Sequence, residues 1–254
     1  MTLRFASLGS GSEGNGLLVA HQDTLLMVDC GFSLADTTRR LQRLGHGPED
    51  LSGILVTHEH SDHIGGVLAL QKKARCPVYG SFGTLAGILD DLGPQGHTIA
   101  DGFSFTLGSL LVHPYAVPHD SREPLQYVIE ANGRKLGILT DTGSITPHIE
   151  QSLQGCHGLF IESNYDPTML DQGPYPATLK ARVRGAYGHL SNQACAELIK
   201  VLDHGDLQRI VAAHLSRKNN TPEHAATALR HALGTEDSRW CLANQENGSG
   251  WFDL

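Results

Sequence analysis

The 254-residue sequence has no paired cysteines: Cys30, Cys76, Cys156, Cys195 and Cys241 are scattered, odd in number and form no C-x-x-C motif. That pattern excludes a disulfide framework and a thiolate zinc finger, and suits a reducing cytoplasm. No apolar run approaches the roughly 18 residues that a membrane span needs, so no membrane partner is expected. Residues 1–7 lack a long apolar run and a small-residue cleavage site, and do not read as a signal peptide. Positive charge is also short: 19 Lys+Arg stand against 27 Asp+Glu, a net −8. A protein that coats nucleic acid through bulk electrostatics is thereby excluded, and any nucleic-acid contact must be local. Repeats, low-complexity tracts and Pro/Ser-rich linkers are missing, and no shift in composition marks a boundary. The length fits one large domain, or two small ones sharing an interface, and is enough to bury a sizeable core; with no boundary in sight, the expectation is a single domain over residues 1–254. Abundant instead are glycine, 29 residues, and histidine, 15 residues. Histidine is the commonest metal ligand, so the placement of those fifteen decides the reading.

Short apolar runs alternate with helical patterns. Leu17-Leu18-Val19, Leu25-Leu26-Met27-Val28 and Ile54-Leu55-Val56 read as buried strands. Residues 33–44 place Leu34, Thr37, Thr38, Leu41 and Leu44 on one helical face, with Gly45 as a stop. Residues 64–74 read as a helix entered directly from the loop after a strand. Two apolar runs flank Asn132-Gly133, a strong hairpin signal. Cys195, Leu198, Ile199 and Leu202 form a helical stripe, and Thr221-Pro222 looks like an N-cap with proline at the first helical position. Strands interleave with helices while hairpins also occur, which predicts an α/β protein with mixed sheets covered by helices.

The run Thr57-His58-Glu59-His60-Ser61-Asp62-His63 follows a strand and opens a helix. His58 and His60, two apart, can grip one ion; Asp62 and His63, on the next bend, can reach a second. Three further polar residues stand just past apolar runs, where a sheet presents side chains to a site: His119, Asp141 and His214. The arrangement would place His58, His60 and His119 on one ion, and Asp62, His63 and His214 on the other. Asp141 would bridge them, one oxygen to each. Taken alone, His119 or His214 could equally be a plain strand-end histidine; their joint placement favours ligation. His113 competes with His119 but sits inside its strand pattern.

With these residues and several others, the sequence resembles the metallo-β-lactamase-fold hydrolases, and within them the YycJ/WalJ-type subgroup of 5′-3′ DNA exonucleases. The matches run from Ser10-Gly-Ser-Glu-Gly-Asn15 and Asp29 through the His58–His63 run to Val117-Pro-His119-Asp120 and Thr140-Asp141-Thr142-Gly143. They continue with Glu162-Ser-Asn-Tyr-Asp166, Gly188-His189-Leu-Ser-Asn192 and His214-Leu-Ser-Arg-Lys-Asn-Asn220. The metal motif marks the superfamily; the last two motifs are more specific to the subgroup. Tyr165, where the subgroup usually has histidine, and Leu125-Gln126, where a glycine is usual, depart from the pattern and bear on local substrate contacts. The resemblance implies an αβ/βα sandwich, two mixed β-sheets between helix layers, with the metals at one edge. It also implies that Asp29 holds a ligand histidine through its other ring nitrogen; as a bare sequence feature Asp29 reads equally as a turn residue before Gly31.

Seven nitrogen and oxygen ligands without cysteine suit two divalent ions, Zn²⁺ or Mn²⁺. Two such ions can activate a nucleophile and stabilise both oxygens of a displacement, which favours phosphodiester hydrolysis. The expected activity is a nuclease, DNA favoured as substrate, with Asp62 and His189 in catalysis. His189 precedes Ser191, a candidate N-cap, and reads either as a general acid or phosphate contact, as the family position implies, or as a histidine packed at a helix start. Lys180, Arg182 and Arg184, with Ser191 and Asn192, could hold substrate phosphates, or the cations could be a solvated face. Residues 10–15 resemble a phosphate cradle, but glycine-rich turns are common and the segment reads rather as a structural turn backing the site. Only 73 positions separate Asp141 from His214, too few for the β-CASP insertion of ribonuclease J-type enzymes. The rival reading is a glyoxalase II-like thioesterase or lactonase, which would use the same ligand types. A non-catalytic di-iron module would carry glutamate where His60 stands.

Overall fold

A computed structural model of the protein describes residues 2–202 and 205–254. Among these, one seven-stranded sheet contains β1 (Arg4–Gly9), β2 (Gly16–His21), β3 (Thr24–Val28), β4 (Gly53–Leu55), β5 (Val78–Gly80) and β6 (Gly96–Thr98). The second contains β7 (Phe105–Leu107), β8 (Leu110–Ala116), β9 (Leu125–Ala131), β10 (Arg134–Leu139), β11 (Gly158–Glu162), β12 (Arg209–Ala213) and β13 (Trp240–Leu242). The chain then returns to the first sheet, where β14 (Phe252–Asp253) pairs antiparallel with β1. Both sheets are mixed, as expected: β1–β3 are antiparallel and β3–β6 parallel, while β7–β10 are antiparallel and β10–β13 parallel.

The strands are apolar on both faces because each sheet is covered twice. Leu26 and Val28 of β3 enter the core between the sheets with Tyr127, Ile129, Ile138 and Val211, whereas Leu25 and Met27 face helices. Over the first sheet lie α1 (Leu34–Arg43), α2 (Ser61–Ile64), α3 (Val67–Ala74), α4 (Phe82–Leu85) and α5 (Leu89–Leu92). Over the second lie α6 (Pro147–Leu153), α7 (Pro167–Gln172), α8 (Ala177–Arg184), α9 (Asn192–Leu202) and α10 (Pro222–Leu233). This is the helix–sheet–sheet–helix sandwich the sequence predicts. No helix of the described residues is long and apolar enough to cross a membrane.

Local chemistry agrees with the boundaries. Ser33 Oγ accepts from Asp36 N at the start of α1, and Thr221 Oγ1 from His224 N at the start of α10, with Pro222 at the first helical position. Asn132 and Gly133 take φ +50° and +73°, both in the left-handed region that a tight two-residue hairpin needs. The stripe Cys195, Leu198, Ile199, Leu202 is buried against the second sheet. One expectation is corrected. The helix over residues 64–74 is two helices, α2 starting at Ser61 and α3 at Val67, broken at Gly65-Gly66. The chain leaving β3 crosses the break: Gly66 N donates to Cys30 O at 2.7 Å, and a Cβ at Gly66 would lie 2.0 Å from Phe32 O. An uninterrupted helix with a larger residue there would collide with that segment.

Candidate metal centre

The C-terminal ends of β3, β4, β10, β11 and β12 and the end of β8 open on one edge of the sandwich, the end at which parallel strands present ligands. Asp29 follows β3, His58 and His60 follow β4, and Glu162 closes β11. His119 lies three residues beyond β8, Asp141 two beyond β10 and His214 one beyond β12. Asp62 and His63 sit in the first turn of α2, rather than on the bend that their spacing predicts. Asp29, Asp141 and His214 take φ of +61°, +51° and +57°. These left-handed residues turn the chain sharply at the strand end and aim the side chain inward, a conformation tolerated where the surroundings over-determine it.

The edge brings together all seven residues singled out in the sequence. Potential donor atoms of His58, His60 and His119 lie within 4.8 Å of one another, as do those of Asp62, His63 and His214, and those of His58, His63 and Asp141. His119 Nε2 is 3.3 Å from His60 Nδ1. His63 Nε2 is 3.1 Å from Asp141 Oδ2, and His214 Nε2 is 3.6 Å from Asp62 Oδ2 and 3.5 Å from Asp141 Oδ1. His58 and His63 are wholly buried. Within this cluster His58 Nε2, His214 Nε2 and Asp141 Oδ2 are buried without a hydrogen-bond partner. A buried polar atom left unpaired costs about 1–3 kcal/mol, so three converging on one spot are the signature of a cation-binding donor set. Imidazole and carboxylate together fit a divalent metal.

The electrostatics of the cluster show how strongly its buried carboxylates attract positive charge. Burial and the neighbouring His63 imidazole hold His58 well below the usual histidine range, so it stays neutral with a free lone pair. Burial alone would raise the Asp141 carboxyl, but the His214 and His63 imidazoles outweigh it and hold it well below the carboxylate range. For His214 burial opposes the charged form, yet Asp141, Asp62 and Glu162 together push its pKa up to about 10.

Around the donors lies a polar frame. Asp29 Oδ2 is 2.8 Å from His63 Nδ1, while its Oδ1 accepts from Thr57 N at 2.8 Å. Asp29 is thus both a turn residue and the partner that orients His63. Residues 10–15 form the turn that backs the site: Ser10 Oγ accepts from His214 N at 2.9 Å, and Asn15 Nδ2 lies 3.1 Å from His63 Nε2. Three supports escape a reading of the sequence alone. Asn164 Nδ2 donates to the His214 carbonyl at 2.9 Å. The Gln126 amide bonds both Thr140 N and Thr140 O, bracing the strand end before Asp141. Glu162, fully buried, accepts from Thr142 N and Leu190 N through Oε2 and faces His189 Nδ1 at 2.7 Å through Oε1. The sequence motif contains Glu162, but nothing local links it to residues 20–28 positions away.

His189 stands at the mouth, its ring stacked on His214 at 5.5 Å between centroids, its Nδ1 3.4 Å from Asp141 Oδ1. Burial works against its charge, but Glu162 and Asp141 outweigh burial and raise its pKa above the usual value. The cleft it faces, about 230 Å³, is lined also by Ser12, His60, Asp120, Tyr175 and Arg182. Of the three α8 cations only Arg182 lines this cleft. Lys180 donates to Asp171 O and Arg184 pairs with the Asp171 carboxylate, because they lie on a neighbouring face of α8. Ser191 Oγ accepts from Ala194 N, a helix cap. The expectation for Asn192 is corrected: it is 1 % exposed, and its amide is used on Ser163 and Asn220, so no substrate reaches it. His113 points elsewhere, with Nδ1 2.7 Å from Ser104 Oγ.

The family model described as a beta-lactamase superfamily domain matches residues 24–215, a span containing every donor above. An exodeoxyribonuclease YycJ of Bacillus anthracis is 35% identical over 237 residues, covering 92% of this chain and 90% of that protein. An exodeoxyribonuclease WalJ of Streptococcus pneumoniae is 33% identical over 241 residues, covering 92% and 89%. In fold, the chain is similar to the metallo-β-lactamase fold protein YhfI from Bacillus subtilis, with a TM-score of 0.77 over the whole of both chains at 14% identity. With similarity that extends over nine-tenths of the chain and not merely across the histidine motif, the chain belongs to the beta-lactamase superfamily, in its metallo-β-lactamase-fold YycJ/WalJ branch.

Proposed function

We propose that the protein is a dinuclear metal-dependent phosphodiester hydrolase, acting on DNA as a 5′-3′ exonuclease. The observation that carries the reading is the convergence of seven nitrogen and oxygen donors, none a thiol, beside an imidazole held by a buried carboxylate. Two relatives that cover nine-tenths of the chain are named exodeoxyribonucleases. The reading takes residues 1–254 as one catalytic unit. Helices α6 to α9 and strands β11 and β12 fill the interval between Asp141 and His214, where a β-CASP domain would otherwise be inserted. Free cysteines throughout support a reducing, cytoplasmic setting.

His58, His60 and His119 would hold one ion, Asp62, His63 and His214 the other, and Asp141 would offer an oxygen to each. Zinc or manganese bound there would lower the pKa of a water and offset charge on the phosphoryl oxygens. The chain's own groups do the rest. Asp62, with its side chain 23 % exposed, faces the cleft and is placed to accept the proton of the attacking water. Glu162 Oε1 accepts a hydrogen bond from His189 Nδ1–H and, with Asp141, favours the imidazolium form, whose Nε2–H would supply the proton to the departing oxygen. Arg182 supplies a guanidinium for substrate phosphate.

Metal analysis of the purified protein, followed by cleavage of 5′-labelled single- and double-stranded DNA, tests the reading. About two ions per chain are expected, with the label released as a mononucleotide before internal cuts appear. Turnover of a glutathione thioester without cleavage of DNA or bis-p-nitrophenyl phosphate would overturn it in favour of the thioesterase.

A further inference from the structure

Asp120 divides its carboxylate between the histidine cluster and the cleft. Its Oδ1 lies 3.4 Å from His119 Nε2 and 3.9 Å from His60 Nε2. Its Oδ2 accepts from Nε of Arg182 on α8. The backbone N–H of Asp120 donates to Tyr187 O at 3.0 Å, so the turn that carries Asp120 is pinned to the segment leading into His189. Both side chains line the cleft, Asp120 28 % exposed and Arg182 59 % exposed. Among the described residues the terminal nitrogens of Arg182 make no hydrogen bond or ion pair.

This arrangement joins two opposing effects. A carboxylate beside the phosphate-binding position repels an anionic substrate, so its bare charge works against binding. An arginine without an anchor samples many rotamers, and each hydrogen bond it forms with substrate must first overcome that freedom. Anchoring Nε on a carboxylate restricts that freedom before substrate arrives and leaves both terminal nitrogens of a cleft-lining guanidinium available to a phosphate. The two effects predict opposite signs for loss of the Asp120 charge, which makes them separable.

Resting on the phosphodiesterase reading above, we propose that Asp120 is a positioning residue that aims Arg182 at a non-bridging oxygen of the substrate phosphate next to the metal centre. Asp120 then acts on the substrate only through Arg182, and its benefit exceeds its own repulsion. The pair would also favour an anionic diester over a neutral thioester or lactone in the same cleft.

The test compares wild type, Asp120→Asn, Arg182→Ala and the double variant, each loaded with manganese and checked for metal content. Substrates are a short 5′-labelled single-stranded DNA and bis-p-nitrophenyl phosphate. Arg182→Ala is expected to raise KM for DNA about tenfold, with the smaller share of the loss in kcat. Asp120→Asn is expected to raise KM about fivefold, against the direction of simple charge removal. In the Arg182→Ala background the same Asp120→Asn change should leave KM unchanged or lower it, because only the repulsion remains to be lost. A KM that falls or stays constant in Asp120→Asn alone, or losses that add in the double variant, would overturn the assignment. So would a lower metal content in Asp120→Asn, which would make Asp120 a support of the histidines instead. A wild-type protein that cleaves neither diester would overturn the phosphodiesterase reading and this assignment together; cleavage with additive losses would overturn the assignment alone.

Discussion

Each ring nitrogen of His63 and His189 has its own environment, and the chemistry of the site depends on that division. In His63, Nε2 faces Asp141 while Nδ1 meets Asp29 at 2.8 Å. Asp29→Asn keeps the size but offers a neutral amide, so the ring loses the partner that fixes its orientation and basicity. Metal affinity should fall by about 10–100-fold with the fold intact, measured by competition with a chelating dye; unchanged affinity would leave Asp29 as a turn residue alone. In His189, Nδ1 is committed to Glu162, so Nε2 is the nitrogen that would meet a substrate in the proposed mechanism. His189→Ala should keep both ions and slow an alkyl phosphodiester on the order of 10²-fold, whereas a nitrophenyl ester, whose leaving group needs little protonation, should lose much less. The ratio of the two losses in metal-replete protein is the measurement. Equal losses would make His189 a binding residue.

Elements position these residues through backbone contacts that leave little tolerance. The turn after β10 and the segment after α8 approach so closely that a Cβ at Gly143 would lie 2.2 Å from Gly188 N and 2.4 Å from the carbonyl carbon of Ala186. Both are backbone atoms, so a methyl group there must push the segment that carries His189 and holds Asp120 through Tyr187 O. Gly143→Ala should therefore retain metal but lose at least as much activity on the alkyl diester as His189→Ala, with a lowered melting temperature. Gly87 is exposed, and a Cβ there would meet nothing within 4 Å, so Gly87→Ala serves as the control and should change neither quantity. Equal behaviour of the two variants would show that the close approach at Gly143 is not rigid. The same economy of space explains the interruption between α2 and α3, where the chain from β3 passes over Gly66.

At the scale of the whole molecule, the donors come from both sheets, so ions bound there link halves of the sandwich that are far apart in sequence. Such ions would bind the folded chain in preference to the unfolded one, because only folding assembles the donor set. At free metal about 100-fold above Kd this contributes about 2.7 kcal/mol, which for a chain of this size is roughly 5–10 °C in melting temperature. Chelation should lower the melting temperature by that order in differential scanning calorimetry, and restoring zinc or manganese should recover it; no shift would mean that the ions do not span the fold. The thiols report on the core in a different way. Burial pushes Cys156 and Cys195 up to about 12 and Cys30 up to about 11, while Cys241 is only partly buried. A thiol reagent near pH 8 should modify Cys241 alone until the protein unfolds. The raised thiols bind protons in the folded state that unfolded thiols, near 9, release. Their contribution is thus fully present below about pH 9 and is lost as pH rises toward 11–12.

The sequence by itself determined the features whose cause is local. Apolar runs marked β2, β3 and β4, Asn132-Gly133 marked the hairpin, the helical face over residues 33–44 marked α1 and Thr221 marked a helix start, because hydrophobic period, turn geometry and capping act over a few residues. It also placed His119, Asp141 and His214 at strand ends, and so at the edge where the His58–His63 run lies. Only the tertiary structure decided which side chains meet across longer separations. Glu162 reaches His189 over 27 positions, Asn15 reaches His63 over 48 and Arg182 reaches Asp120 over 62. The break at Gly65-Gly66 depends on a strand end more than thirty residues earlier, and Lys180 and Arg184 turn to Asp171 because of where α7 lies beside α8. A residue type and its neighbours state what chemistry a side chain can perform; which partner holds it in place depends on how the two sheets pack, and no local pattern records that.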